Sequence, residues 1–396
     1  MTRPRPVEFL IVGGGPAGAT AAMVLAAAGR EVVVVERTEY GSPRVGETLP
    51  PAASPFLARL GLTSDLASVG HVRCPGTICC WSHEQPYLND FLFDPDGEGW
   101  HVDRAAFDAM LASKARDAGA EILIGHAVRS CRLEGGIWNV AIAGPNGNRC
   151  VQASHVVDAA GRRPWRGRPS RRRVFDRQIA VVALFGVAQD DRAADRRTCL
   201  EAVRSGWWYS ASVPDHRRVA AYFTDADLLH APAGRRSDVW ATLLDETHLT
   251  RERVGPGRPP CELRVVAASS TIADPIVGER YIAVGDAAST IDPLSSQGIL
   301  YALLSGVDAA EALLSPDRSH AALGYARGIA ARFHVDLHTR QRFCQAERRW
   351  PDSPFWMRRF RAPEPLASDR SPRRSTDRSH RWTVGTQAVV RPPTVA

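Results

Sequence analysis

The stretch Glu8-Phe-Leu-Ile-Val-Gly-Gly-Gly-Pro-Ala-Gly-Ala-Thr-Ala-Ala constrains this chain more than any other. Phe9 to Val12 is an apolar run long enough for one buried strand. Gly13, Gly15 and Gly18 follow at the spacing G-x-G-x-x-G. Ala19 to Ala28 then reads as a small-residue helix packed closely on a sheet, ended by Gly29. Val32 to Val35 form a second buried strand closing on Glu36, 18 residues after Gly18. Gly13 allows the tight turn, Gly15 lets the backbone approach a pyrophosphate, and Gly18 lets helix and strand pack together. The free amides and dipole of the helix N-terminus favour the pyrophosphate charge, and a carboxylate at Glu36 accepts from a ribose diol. The reading is a dinucleotide site, with Ala17 and Arg37 flanking its key positions.

Composition narrows the class. The chain has 396 residues and 44% hydrophobic content, enough for a full core and more than one domain. Phe9 to Ala28 is too broken by glycine and proline for a membrane span, so a cytoplasmic protein with no membrane partner is expected. Eight cysteines form no C-x-x-C pair and no zinc spacing, which points to free buried thiols and no metal site. The vicinal Cys79-Cys80 pair reads as ordinary strand. Net charge is +7, but nine arginines against Glu364, Asp369 and Asp377 put +6 of it after residue 357. The body is near neutral, which excludes a nucleic-acid surface.

A second pattern decides which dinucleotide. Tyr281-Ile-Ala-Val-Gly-Asp-Ala-Ala returns to the buried-strand pattern, and Asp292-Pro-Leu-Ser-Ser-Gln-Gly-Ile follows. Asp286 at the strand end is placed to meet a polyol. Pro293 and Gly298 bracket a loop able to lie against a flat ring, and Gly298 opens a helix whose amides can polarise a ring carbonyl. Ser296 and Gln297 sit in that loop, and Ile299 follows it. A nicotinamide cofactor needs no such second half; a flavin does. Between the two halves, Gln178 to Ala268 is rich in β-branched and aromatic residues and reads as an antiparallel sheet covered by a helix near Ser237 to Leu249.

With Asp158-Ala-Ala-Gly161 added, Gly13 to Gly18 and Gly285 to Gly298 resemble the class A FAD-dependent monooxygenase superfamily over about residues 8 to 345. Val45-Gly-Glu-Thr-Leu-Pro-Pro-Ala and Gly206-Trp-Trp-Tyr-Ser-Ala-Ser-Val-Pro are similar to its tryptophan-halogenase-like branch. The loop after Asp292 and Gly99-Trp-His-Val-Asp-Arg are similar to flavoproteins that modify tryptophan during maturation of quinone-cofactor enzymes. The resemblance implies a mixed α/β fold, α+β overall. It has a Rossmann-like FAD-binding domain (1–75, 100–175, 270–345), an inserted antiparallel-sheet substrate domain (76–99, 176–269) and a C-terminal helical segment (346–396), largely disordered from about 363. It implies FAD, with Arg104 near the pyrophosphate or ribityl chain, Val128 by the adenine and Pro293 to Ile299 beside the isoalloxazine. NAD(P)H or a separate flavin reductase supplies electrons.

The implied reaction is hydroxylation of an electron-rich ring through a flavin C4a-hydroperoxide. The ring is a tryptophan or indole in a peptide, a protein or a small molecule. Halogenases of this branch carry W-x-W-x-I-P; here Tyr209-Ser-Ala-Ser-Val-Pro stands in its place. They also need a lysine in the substrate domain, whereas the only lysine, Lys114, lies mid-helix in the FAD domain. Halogenation and flavin-dependent reduction remain the alternatives. Glu47, Ser296 and Gln297 are the candidate catalytic residues. Glu47 either orients flavin or substrate, or serves as a helix N-terminal acid. His101 reads as an acid–base group or a packed core residue, and Trp207, Trp208 and Tyr209 as cavity lining or core.

Overall fold

A computed structural model describes residues 6–163, 165–186, 195–230, 235–255 and 263–361. Strand Val7–Val12 lies at the centre of an eight-stranded sheet. It pairs in parallel with Val32–Glu36 on one side and with Gly147–Asp158 on the other. Tyr281–Ala283 extends the parallel set beyond Gly147–Asp158. The registers Val12↔Val35, Val12↔Asp158 and Asp158↔Ala283 bring the carboxyl ends of four strands to one rim. Ligands of open parallel sheets bind in the crevice at that rim.

The glycine-rich helix runs from Pro16 to Ala27, three residues earlier than its alanine pattern suggests. Pro16 at its first position has φ preset for helix and no amide to lose, so Gly18 falls inside the first turn. The helix is buried along most of its length against helices Gly298–Leu314 and Arg104–Asp117. The single helix expected near Ser237 to Leu249 is two, Arg236–Asp245 and Leu249–Val254. The Glu201 carboxylate accepts from the amides of His248 at 2.7 Å and Thr250 at 2.8 Å, starting the second helix afresh.

The second large sheet has seven strands, in the order Leu263–Ala267, Gln178–Gly186, Arg217–Asp225, Gly206–Val213, Thr198–Val203, Gly76–Cys80 and Tyr87–Asp90. All its pairs are antiparallel except Thr198–Val203 with Gly76–Cys80. Cys79 and Cys80 are thus strand residues, and the seven described cysteines are free. Cys150 is exposed, against the expectation of burial throughout, because it sits on the outer half of strand Gly147–Asp158. No helix among the described residues is long and apolar enough to cross a membrane.

Helix Pro354–Phe360 packs against the same face of the second sheet as Trp207 and Phe223. Trp356 is fully buried, meets Trp81 edge-on at 5.4 Å and donates from Nε1 to Val203 O at 3.0 Å. Trp81 in turn meets Trp207 edge-on at 6.4 Å. Trp356→Ala is expected to destabilise the protein by about 3–5 kcal/mol, read as a lower midpoint in denaturant unfolding. The residues from 362 onward, where a disordered tail is expected, lie outside the described residues.

Candidate active site

A cavity of about 800 Å³ lies between the carboxyl rim of the first sheet and the inner face of the second. Cofactor and ligand sites span about 300–1,000 Å³. Its glycine end is built by close packing. A Cβ on Gly13 would lie 2.3 Å from Ala159 O, and Gly13 has φ +108°. A Cβ on Gly18 would lie 1.9 Å from Gly13 O. Gly15 has no such neighbour closer than 4.0 Å and borders the cavity, so its role is to leave space.

Glu36 borders the same end and is 5% exposed. It accepts from Gly14 N at 2.7 Å and from Thr38 N at 2.9 Å, and pairs with Arg44 at 3.3 Å. Its placement is therefore fixed by the turn it serves. Arg37 and Val128 line the cavity close by, with His126, Arg129 and Trp165. Burial, and then the charge of Arg163, lower the Arg37 pKa.

Asp286 lines the cavity and keeps a half-exposed carboxylate, held by Arg162 Nε at 3.1 Å. Beyond it, Asp292 accepts from Leu294 N at 3.0 Å and caps the turn Pro293–Ser295. Ser296 takes φ +52° and turns the chain into helix Gly298–Leu314. Pro293, Ser296, Gly298 and Ile299 all line the cavity. Gln297 does not: its side chain borders a smaller cavity on the other side of the loop.

Arg104 reaches the cavity, but its guanidinium is committed to the protein. It donates to Val45 O at 3.0 Å and Gly46 O at 3.1 Å, and pairs with the fully buried Asp108 at 3.1 Å. It thereby clamps the loop that carries Glu47. Glu47 is 6% exposed and lines both the main cavity and an adjoining one of about 130 Å³. Burial pushes its pKa up to about 7, against the opposing charge of Arg104. Thr48 beside it shares a 2.8 Å hydrogen bond with the Tyr209 hydroxyl.

The opposite wall comes from the second sheet. Trp207 and Phe223 stack at 3.9 Å with planes 8° apart, and Tyr209, Val219, Ala180 and Ala221 complete the face. The strand period puts Trp208 on the far side, edge-on to Trp240 at 5.1 Å. His101 is fully buried and its Nε2 meets Thr198 Oγ1 at 2.9 Å, away from the cavity. It is a core residue.

FAD fits these residues. The cradle at Gly13 to Gly18 excludes side chains where a pyrophosphate approaches, and a Cβ on Gly298 would meet nothing within 4 Å at the other end. Asp286 stands between the two ends with a solvent-facing carboxylate. Arg44, Arg162 and Arg332 also border the cavity and were not singled out by sequence. Arginine is frequent throughout the chain, so no local signal marked them.

The sequence profile described as FAD binding domain matches residues 6–322. LodB of Marinomonas mediterranea, which bears the name of an FAD-dependent oxidoreductase, is 31% identical over 360 residues, covering 89% of this chain and 96% of its own. Among solved structures, the myxobacterial chondrochloren halogenase CndH superposes with a TM-score of 0.81 at 22% identity, over 92% of this chain and 87% of its own. The peptidyl tryptophan dihydroxylase QhpG, essential for tryptophylquinone cofactor biogenesis, superposes with a TM-score of 0.75 at 24% identity, over 92% and 80%. These two likenesses establish the fold. The match over residues 6–322 and the near full-length relative place the chain in the FAD-binding-domain family of the class A flavoprotein superfamily, as an FAD-dependent oxidoreductase.

Proposed function

We propose that the protein is an FAD-dependent monooxygenase that hydroxylates an electron-rich aromatic ring, a tryptophan or indole carried by a peptide, a protein or a small molecule. Bound and reduced, FAD supplies the activation of O₂. The chain's own residues bind, orient and exclude water. Gly13, Gly15, Ala17, Gly18, Glu36, Arg37 and Val128 take the adenosine and pyrophosphate half. Asp286 takes the ribityl chain, and Pro293 to Ile299 back the isoalloxazine. Arg104 acts through the loop it clamps. The domain assignment follows: the first sheet holds the cofactor and the second presents the ring.

One observation carries the reading. Trp207, Phe223 and Tyr209 face the loop Pro293–Gly298 across the cavity, and Ala180 and Ala221 leave room between them. Such a wall admits a flat apolar ring. Glu47 holds a proton at the cavity edge and donates it to orient substrate or flavin, and Ser296 borders the same space. The fold likeness to CndH makes halogenation the second reading. Against it, Lys114 pairs with Asp65 at 3.0 Å and does not line the cavity. An arginine is too basic to replace it in proton transfer. Electrons come from NAD(P)H directly or from a partner flavin reductase. Incubation with reduced FAD, O₂, bromide and tryptophan-containing peptides tests the proposal: a hydroxylated ring supports it and a brominated ring overturns it.

A further inference from the structure

A small cavity of about 30 Å³ lies behind the loop 292–297, on the side away from the flavin cavity. Gln297, Tyr301, Asp292 and Ser295 line it from the loop and the helix that follows, and Asp336 and Arg340 from helix Arg318–Ala346. Two buried acceptors there lack any hydrogen-bond partner within the described protein, Gln297 Oε1 and Asp336 Oδ2. Gln297 is 9% exposed. The other Asp336 oxygen accepts from the Tyr301 hydroxyl at 3.2 Å. Leaving a buried acceptor unsatisfied costs about 1–3 kcal/mol. Two unpartnered buried oxygens facing one cavity call for a shared hydrogen-bonding bridge. A water needs roughly 10–15 Å³ and two to four polar partners, and this cavity offers both.

We propose that this cavity binds one ordered water bridging Asp336 Oδ2 and Gln297 Oε1, and that the link positions the loop 292–297 against the flavin. Tyr301 connects the two cavities directly, since it lines both. Gln297 and Asp336 are positioning residues, acting through the loop and the first turn of helix Gly298–Leu314.

The link is sensitive to pH. Burial pushes the Asp336 pKa up to about 7, opposed by the Tyr301 hydrogen bond and the Arg332 charge. The charged groups around it are Arg332 and Arg340 on its own helix, Asp292 on the loop, Asp176 paired with Arg340 at 2.5 Å, and Asp308 on helix Gly298–Leu314, held 4.0 Å from Arg332. Below about pH 7 Asp336 is neutral, its Oδ2 hydroxyl donates to the water, and the water donates to Gln297 Oε1. Above it, a second carboxylate charge joins Asp292 behind the loop, and the loop's grip on the flavin weakens.

The test measures FAD dissociation constants by flavin fluorescence at about pH 6 and about pH 8.5, with a crystal structure of the FAD-loaded protein. The wild type is expected to bind FAD about five- to tenfold more weakly at the higher pH. Asp336→Asn keeps the neutral shape and is expected to bind as the wild type does at low pH, with no change between the two. Asp336→Leu removes the neutral hydrogen-bonding group and is expected to bind weakly at both. The crystal structure is expected to show one water between Gln297 and Asp336. A dry cavity, a Gln297 amide donating directly to Asp336, or an unchanged pH dependence in Asp336→Asn each overturns the proposal. These readouts concern cofactor binding alone, so they stand whatever ring the enzyme oxidises.

Discussion

Gly18→Ala is expected to yield a protein that purifies without flavin. The added Cβ would sit 1.9 Å from Gly13 O and 2.9 Å from Ala159 Cβ. The nearer obstacle is backbone, and it belongs to the turn whose amides face the pyrophosphate. Relief requires the start of helix Pro16–Ala27 to move off strand Val7–Val12, which takes its N-terminal dipole away from the phosphate site. Overpacking of this kind costs about 1–3 kcal/mol of stability, and the FAD affinity is expected to fall at least about 100-fold because the cradle itself is displaced. Flavin absorbance per protein and the unfolding midpoint, measured together, separate the two effects. Gly324→Ala is the control: it lies in helix Arg318–Ala346 away from the cavity, its Cβ meets nothing within 4 Å, and the variant is expected to remain yellow. A fully loaded Gly18→Ala protein would contradict the cradle.

Glu47→Gln is expected to retain FAD and fold normally while turnover falls on the order of 10²-fold, the lower range for a positioned acid–base group. Glu47 lies at the junction of the flavin cavity and the adjoining pocket, clear of the glycine cradle. Glutamine keeps its shape and hydrogen-bonding reach but holds no transferable proton. The pH profile gives the sharper signature. Burial raises the Glu47 pKa from its ordinary value to about 7, so the acid is protonated below that pH and ionised above it. Wild-type turnover is expected to fall as pH rises through about 7, and that limb is expected to vanish in Glu47→Gln. The same shift bears on stability. A raised carboxyl pKa means the folded state binds more protons than the unfolded state between about 4.5 and 7. Stability therefore declines across that window as pH rises, and Glu47→Gln flattens the decline. A variant with wild-type turnover would remove Glu47 from the chemistry.

The cofactor half of the site was legible in the sequence because its logic is local. Gly13, Gly15, Gly18 and Glu36 lie within one strand–helix–strand unit, and each residue type follows from a backbone or charge requirement there. Asp286 and the loop from Pro293 to Gly298 were legible for the same reason. What lay beyond reach was the meeting of distant segments. The parallel pairing of Thr198–Val203 with Gly76–Cys80 joins residues over a hundred positions apart, and no period announces it. Alternation predicts that Trp207 and Trp208 face opposite ways, but only the packed sheet says which faces the cavity. Ser296 and Gln297 look equivalent in sequence. The left-handed backbone at Ser296 sends their side chains into different cavities. Arg104 suggests a cofactor contact and borders the cavity, and the buried Asp108 four residues on also makes it a clamp for the Glu47 loop. The C-terminal helix gave no hint that Trp356 extends the aromatic wall through Trp81.

The most direct measurement of the central claim is the fate of oxygen. The purified protein, supplied with FAD, a flavin reductase, NADH and ¹⁸O₂, is incubated with tryptophan and with tryptophan-containing peptides in the presence of bromide, and the products are read by mass spectrometry. The account predicts a gain of one or more ¹⁸O atoms on the indole ring of at least one substrate, dependent on FAD and absent in Gly18→Ala. A brominated ring, or oxygen drawn from water in place of ¹⁸O₂, would contradict it.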